Sequence, residues 1–261
     1  MKKFLLVVMV IFVALCGISF AEGSYFSTDY NGSLGVGYWF PSITGSVQSG
    51  VTGAGSIDLK NDLGLNNNGT VYADFRYKFD ETSSLYLDYF NLTNSGSLAI
   101  PNTFVWRSGT FTAGNTVNSS VNVRMFDAIY EKKIYENDQA YLCGTLGGKY
   151  GQASVTINNI TTGFNSRANA VGLIPEIGLF GKTKMTQNLN GIARINAMVG
   201  DNSGKHVGMI DINAGITWDF YQNWACDLGY KWFQLTGNNL SSNDQMNINY
   251  GGPFAMFRYS Y

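Results

Sequence analysis

Val71-Tyr72-Ala73-Asp74-Phe75-Arg76-Tyr77-Lys78-Phe79 is the stretch that decides the fold. Its odd positions are all apolar or aromatic, and its even positions carry Tyr72, Asp74, Arg76 and Lys78. Successive side chains of a β-strand point to opposite faces, so this is a strand with one apolar and one charged face. A helix would scatter the three charges around its circumference.

The same dyad recurs along the chain. Leu34, Val36, Tyr38 and Phe40 alternate with Ser33, Gly35, Gly37 and Trp39; Leu85, Leu87 and Tyr89 with Tyr86, Asp88 and Phe90. Further on, Leu142, Leu146 and Tyr150 alternate with Cys143, Thr145 and Lys149, and Val171, Leu173, Ile177 and Leu179 with Ile174, Glu176 and Phe180. Ala193, Ile195, Ala197 and Val199 flank Arg194 and Asn196. Ile210, Ile212, Ala214, Ile216 and Trp218 flank Asp211, Asn213, Thr217 and Asp219. Leu228, Tyr230 and Trp232 alternate with Asp227, Gly229 and Lys231, and Ala255, Phe257, Tyr259 and Tyr261 with Phe254, Met256, Arg258 and Ser260. A segment over 121–132 completes a set of ten strands, with eight the next choice. Its apolar residues lie on both parities, which a bulge near Arg124 would reconcile.

Composition narrows the setting. Only 13% of the 261 residues are charged, about half the usual share for a soluble domain. Seventeen basic against 18 acidic residues give no basic face for a nucleic acid. Aromatics at 15% exclude disorder. The mean hydropathy is near zero, and no stretch after the N-terminus is long and apolar enough for a second membrane helix. At the N-terminus itself, Lys2-Lys3, the apolar run Phe4–Leu15 and Ser19-Phe20-Ala21 form the three parts of a secretory signal peptide. Residues 1–21 are therefore read as the signal and 22–261 as one barrel domain, with both termini in the periplasm.

A soluble secreted β-sandwich would also bury one apolar face, and it is the architectural runner-up. Three features favour a membrane barrel. Aromatics gather near strand ends, with Trp218, Phe220, Tyr221 and Trp224 at one rim and Tyr150 and Trp232 near the other, as in interfacial girdles. Many segments reach the roughly 9–11 residues of a tilted membrane strand. The last strand ends on alternating aromatics, Phe257, Tyr259 and Tyr261. Short turns alternate with longer loops, chiefly 41–69 and 93–120 and a medium one at 153–167. Their Gly, Ser, Thr and Asn content reads as exposed, mobile surface.

With its export signal and terminal aromatic, the chain resembles bacterial outer-membrane β-barrel proteins. Gly37-Tyr38-Trp39-Phe40-Pro41, Ser56 to Leu65 and Phe75-Arg76-Tyr77-Lys78-Phe79 look like a group of small barrels lacking assigned activity. The resemblance implies an all-β, up-and-down antiparallel transmembrane barrel in the outer membrane. It also implies outer-membrane lipid, periplasmic chaperones and the barrel-assembly machinery as partners, with Phe257, Tyr259 and Tyr261 as the assembly signal. A monomer is expected, with no nucleic acid and no identified external ligand.

The inward set then holds Asp74, Arg76, Lys78, Asp88, Lys149, Glu176, Arg194, Asp211, Asp219, Asp227, Lys231 and Arg258, with Asp127 of uncertain parity. Balanced signs read as a salt-bridged lumen network packed with aromatic and Met side chains, as in small barrels. A selective pore would favour one sign. Enzymatic constellations are weak. His206 and Asp211 could form the Asp–His pair of an omptin-like protease, but their parities differ, and no Asp-x-Asp pair accompanies them. No His-x-Ser offers a lipid A deacylase motif. One histidine and two scattered mature cysteines give no metal-ligand spacing. No catalytic, cofactor or metal site is assigned. Cys143 and Cys226, on distant strands with opposite faces, are expected to stay free thiols. The functional expectation is a non-enzymatic surface or structural protein whose long loops contact a partner. A narrow passive channel is the alternative, and an interface enzyme is disfavoured.

Overall fold

A computed structural model describes residues 30–51, 54–107, 109–202, 205–238 and 244–261. Residues 1–21, read above as a signal peptide, lie outside this range. Fourteen strands occur in chain order: β1 Gly32–Trp39, β2 Ser42–Gln48, β3 Ser56–Asp58, β4 Thr70–Lys78, β5 Ser83–Ala99, β6 Phe104–Trp106 and β7 Gly109–Phe111. They continue as β8 Thr116–Glu136, β9 Ala140–Asn159, β10 Phe164–Lys184, β11 Leu189–Asn202, β12 Lys205–Tyr221, β13 Trp224–Asn238 and β14 Gln245–Ser260. Antiparallel pairing runs β1-β4-β5-β8-β9-β10-β11-β12-β13-β14, and β14 pairs back to β1. This is a closed ten-stranded barrel. Closure removes every sheet edge from the lipid, the condition for crossing a bilayer with strands.

One barrel position is shared by two segments. β1 pairs with the second half of β14 and β2 with its first half, Gln245 to Gly251. The break falls at Phe40-Pro41, where Pro41 has no N–H to give the ladder. Short turns close one end, and the first and last described residues lie there too: Tyr261 accepts backbone bonds from Asn31 and Gly32. At the turn before β5, Asp80 accepts from the Thr82 N–H (2.7 Å) and hydroxyl (2.8 Å). Those bonds hold its carboxyl below the usual range.

The outer surface carries the apolar parity read from the sequence. Leu34, Val36, Val71, Leu146, Leu173, Ile177, Leu228 and Phe257 are all exposed on it. On β9 this belt runs from Leu142 to Tyr150, nine residues. At about 3.3 Å each and a tilt of about 40°, it stands close to the height of a membrane barrel's apolar band. Trp218, Phe220, Tyr221 and Trp224 ring the turn end, and Tyr38, Phe40, Tyr89, Phe126, Tyr150 and Tyr230 lie towards the loop end.

Beyond the belt the pattern inverts. On β9, Ala153, Val155 and Ile157 are buried inside while Gln152, Ser154, Thr156 and Asn158 face outward. On β8, Val121, Val123 and Met125 point inward and Phe126 and Tyr130 outward. Pairing with β5 is continuous from Thr116 to Lys132, so the bulge expected near Arg124 is absent; the register shifts between Lys133 and Tyr135 instead. The mixed parities are both real, because strand β8 leaves the membrane near Met125 and exchanges a lipid face for a water face.

The long loops also differ from expectation. The described residues of 41–69 and 93–120 are not loose surface. Strands β5 and β8 extend into the second, leaving 100–115, and β9 and β10 reduce the medium loop to a turn between Asn159 and Phe164. Ile43, Val47, Ile57, Leu59, Leu63 and Leu65 are buried against Val121, Val155, Leu235 and Ile248. Asp58 caps the inturned segment by accepting from the Lys60 and Asn61 N–H groups. Gly64 adopts a φ of +64°, and its carbonyl lies where a Cβ on Gly96 would sit, so both positions demand glycine. Arg107 anchors the β6–β7 hairpin by an ion pair to Asp244 (2.7 Å). Enough apolar residues lay hidden in Gly- and Ser-rich segments to fill the mouth.

A charge at mid-belt should cost about 2–4 kcal/mol, and nothing comparable beyond it. Ile177→Arg should therefore lower the unfolding midpoint of the detergent-folded barrel sharply, and Asn169→Arg, outward on the same strand but above the belt, should not. Equal effects would contradict this placement of the membrane.

Candidate functional site

The lumen holds the site. A side-by-side row runs across six neighbouring strands: Arg258 opposite Gly35, Gly35 opposite Asp74, Asp74 opposite Asp88, Asp88 opposite Asp127, and Asp127 opposite Lys149. Three adjacent aspartates directly opposite one another repel. Cations at both ends and from across the lumen neutralise them. Arg258 grips Asp74 through both guanidinium nitrogens at 2.8 and 2.9 Å, and its Nε and Nη2 also donate to Asp227 at 3.0 and 2.7 Å. Gly35 makes this possible: a Cβ there would meet the Asp74 carboxylate at 2.8 Å. Lys149 Nζ lies 2.6 Å from Asp127 and 2.9 Å from Asp211. Lys231 reaches Asp211 at 2.9 Å and Asp88 at 3.8 Å.

The part of this cluster around the two lysines is buried. Lys149 and Lys231 have relative exposures of 0% and 1%, and Asp127, Asp211 and Asp88 do not exceed 4%. Tyr72 and Tyr86 link the row by a hydroxyl contact of 2.9 Å. On the loop side it is roofed by aromatic rings. Trp39 packs edge-on against Phe90 at 5.4 Å, Phe90 against Phe233 at 5.8 Å, and Phe233 stacks on Tyr250 at 6.0 Å. Trp39 Nε1 donates to the Gly252 carbonyl and the Tyr250 hydroxyl to Asn94, so the buried polar tips are satisfied. The inturned loops pack above.

On the turn side the lumen is hollow. A cavity of about 890 Å³ opens there, lined among others by Arg76, Glu131, Cys143, Phe180, Lys182 and Arg194. Glu131 accepts from Arg76 on β4 and from Arg194 on β11, spanning the barrel. Both guanidiniums lie on the Phe180 ring, at 4.4 and 4.8 Å, and Arg194 lies 3.8 Å from the Tyr86 ring.

The structure brings most of the sequence-derived lumen set together. Asp74, Asp88, Lys149, Arg194, Asp211, Asp227, Lys231 and Arg258 form the network, and Asp127 joins it as an inward residue. Arg76 pairs with Glu131, while Lys78 and Asp219 line the cavity near its mouth, Asp219 accepting from Asn190. Glu176 is buried too, but neither of its carboxylate oxygens takes a hydrogen bond. Glu131, a central acceptor, is absent from the sequence-derived set. Its i+4 spacing from Asp127 would have placed it inside, had the parity of that strand been fixed. The packed interior expected throughout holds only in the loop-side part.

Asp211 and His206 do not meet. Asp211 is committed to two lysines in the dry cluster, while His206 is exposed near the outer tip of β12, opposite Asn238. Among the described residues no group of His, Cys, Asp and Glu is arranged to hold a metal. Cys143 lies inside, Cys226 lies on the outward parity, and both are free thiols.

Comparison with solved structures agrees on the fold. The outer-membrane protease OmpT of Escherichia coli superposes over 92% of this chain and 99% of its own, with a TM-score of 0.56 and 9% identity. The translocator domain of the autotransporter NalP from Neisseria meningitidis covers 100% and 95% at a TM-score of 0.43 and 11% identity. Ail, the attachment invasion locus protein of Yersinia pestis, covers 87% and 97% at 0.39 and 12%. No family profile matches the chain, and no curated protein matches its sequence. The fold is that of a bacterial outer-membrane β-barrel.

Removing one partner of a buried ion pair strands the other, at a cost of about 3–5 kcal/mol. Lys149→Ala should therefore strongly destabilise the barrel in urea titrations. Lys149→Met combined with Asp127→Leu should recover much of the loss. A single substitution without effect would mean that the cluster is hydrated.

Proposed function

We propose that the chain is a non-conducting, non-enzymatic outer-membrane barrel that carries a rigid head outside the cell. The observation that carries this reading is the seal. The dry charge cluster, the aromatic roof and the inturned loops fill successive levels of the lumen from the middle outward. A conducting pore needs a continuous polar path, and opposed charges paired at 2.6–2.9 Å leave none at this level.

In this reading the short-turn end faces the periplasm, as in other barrels of this class, and residues 1–21 direct export. The alternating aromatics Phe257, Tyr259 and Tyr261 present the end of β14 to the assembly machinery. The head consists of β2, β3, the β6–β7 hairpin and the upper parts of β5 and β8–β10. Its outer wall carries Thr93, Asn118, Arg124, Thr156 and Asn158, a largely neutral, hydrogen-bonding surface suited to contact with a partner. Rigidity follows from its core: a contact surface that is already ordered loses less entropy on binding.

Purified barrel in a planar bilayer should show no steady unitary conductance. Lys149→Ala combined with Phe90→Ala and Phe233→Ala, if folded, should introduce one by removing part of the seal. Steady conductance from the unaltered protein would overturn the reading in favour of a passive channel. Hydrolytic activity abolished by His206→Ala would overturn its non-enzymatic part.

A further inference from the structure

The cavity at the turn end is not needed by a sealed barrel, and its charges are not all used. Arg76 donates to Glu131 through Nη2 and places Nε 3.1 Å from it, which leaves Nη1 without a hydrogen bond among the described residues. Lys182, two residues from Phe180 on the same inward parity of β10, makes no hydrogen bond or ion pair among the described residues. Asp219, which lines the same cavity, takes a hydrogen bond from Asn190. Arg76 lies 4.4 Å from the Phe180 ring and Lys182 is the next inward residue on β10, so the two cations flank the same ring, in a cavity that Asp219, Asp227 and Glu136 also line. Beside them the wall turns apolar. Tyr141 stands opposite Lys182, Cys143 stands opposite Phe180, and the Tyr141 and Phe180 rings are 5.9 Å apart. Ile192 lines the same wall. The volume, about 890 Å³, lies within the range of small-molecule sites, which combine apolar walls with a few fixed polar groups.

We propose that this cavity binds a small organic carboxylate from the periplasmic side, its oxygens held by Arg76 Nη1 and Lys182 Nζ and its apolar body against Phe180, Tyr141 and Ile192. Guanidinium and ammonium donors give charge-assisted bonds to a carboxylate. The apolar wall disfavours a fully hydrated inorganic anion, which would lose water there for no contact in return. The inference stands whether or not the barrel conducts.

Butyrate, its neutral analogue butyramide and inorganic phosphate serve as probes for the full chain folded in detergent. Folding is checked by the heat-dependent shift in gel mobility, and binding is read by titration calorimetry. Alkylation of Cys143, followed by mass spectrometry of its peptide, reports occupancy at the site. Butyrate should bind and slow alkylation, and butyramide and phosphate should do neither. Loss of one charge-assisted bond should weaken butyrate about tenfold in Lys182→Gln. Lys182→Arg should retain binding, and Lys60→Gln, in the head, should bind like the unaltered chain. The proposal fails if butyrate does not bind, if butyramide or phosphate binds equally well, or if Lys182→Gln leaves butyrate affinity unchanged.

Discussion

Everything in this barrel depends on burying like charges side by side. A membrane strand must turn its apolar residues to lipid, which commits the alternate positions to the lumen whatever their charge. Here that rule sets Asp74, Asp88 and Asp127 in one row on three neighbouring strands. The row is tolerable only because Arg258 and Lys149 terminate it and Lys231 reaches Asp88 from the opposite wall. Arg258–Asp74 ties β14 to β4, Lys149–Asp211 ties β9 to β12, and Lys231–Asp88 ties β13 to β5. Interior electrostatics therefore hold the barrel's cross-section as well as neutralising it. Gly35 is part of the device, since it keeps the space that the Arg258 guanidinium crosses.

The head follows from the same strands continued into water. Once β8 and β9 rise above the belt, the outward parity becomes polar and the inward parity apolar, so the hydrophobic effect works in its usual direction. The inturned segments around Leu59, Leu63 and Trp106 then have a core to join. One chain thus carries two folding regimes. A lipid-facing barrel has a polar interior, and the head above it has an apolar one. The aromatic layer from Trp39 to Tyr250 is the boundary between them.

The barrel was legible because its signal is period two and its charges obey one parity. The inward set from Asp74 to Arg258 follows from alternation alone. What alternation does not encode is where a strand leaves the membrane. On β8 that crossing falls within a single strand, so Val121, Val123 and Met125 looked out of step with Phe126 and Tyr130, and Glu131 went unread. The structured loops were hidden for a different reason. Their composition is polar on average, while the buried residues Ile57, Leu59, Leu63 and Leu65 are few and aperiodic. The split of the lumen into a dry half and a hollow half depends on which side chains reach across it, which requires the closed ring.

The central claim is that the part of the charge network around Lys149 and Lys231 is sealed from water. Side-chain ammonium NMR of the uniformly labelled barrel in detergent tests it most directly. Lys149 and Lys231, assigned by single substitutions, should give ammonium signals that persist at neutral pH, because their protons are hydrogen-bonded to aspartates and shielded from exchange. Surface lysines such as Lys60 should give none. Rapid solvent exchange at Lys149 and Lys231 would mean a wet lumen and contradict the account.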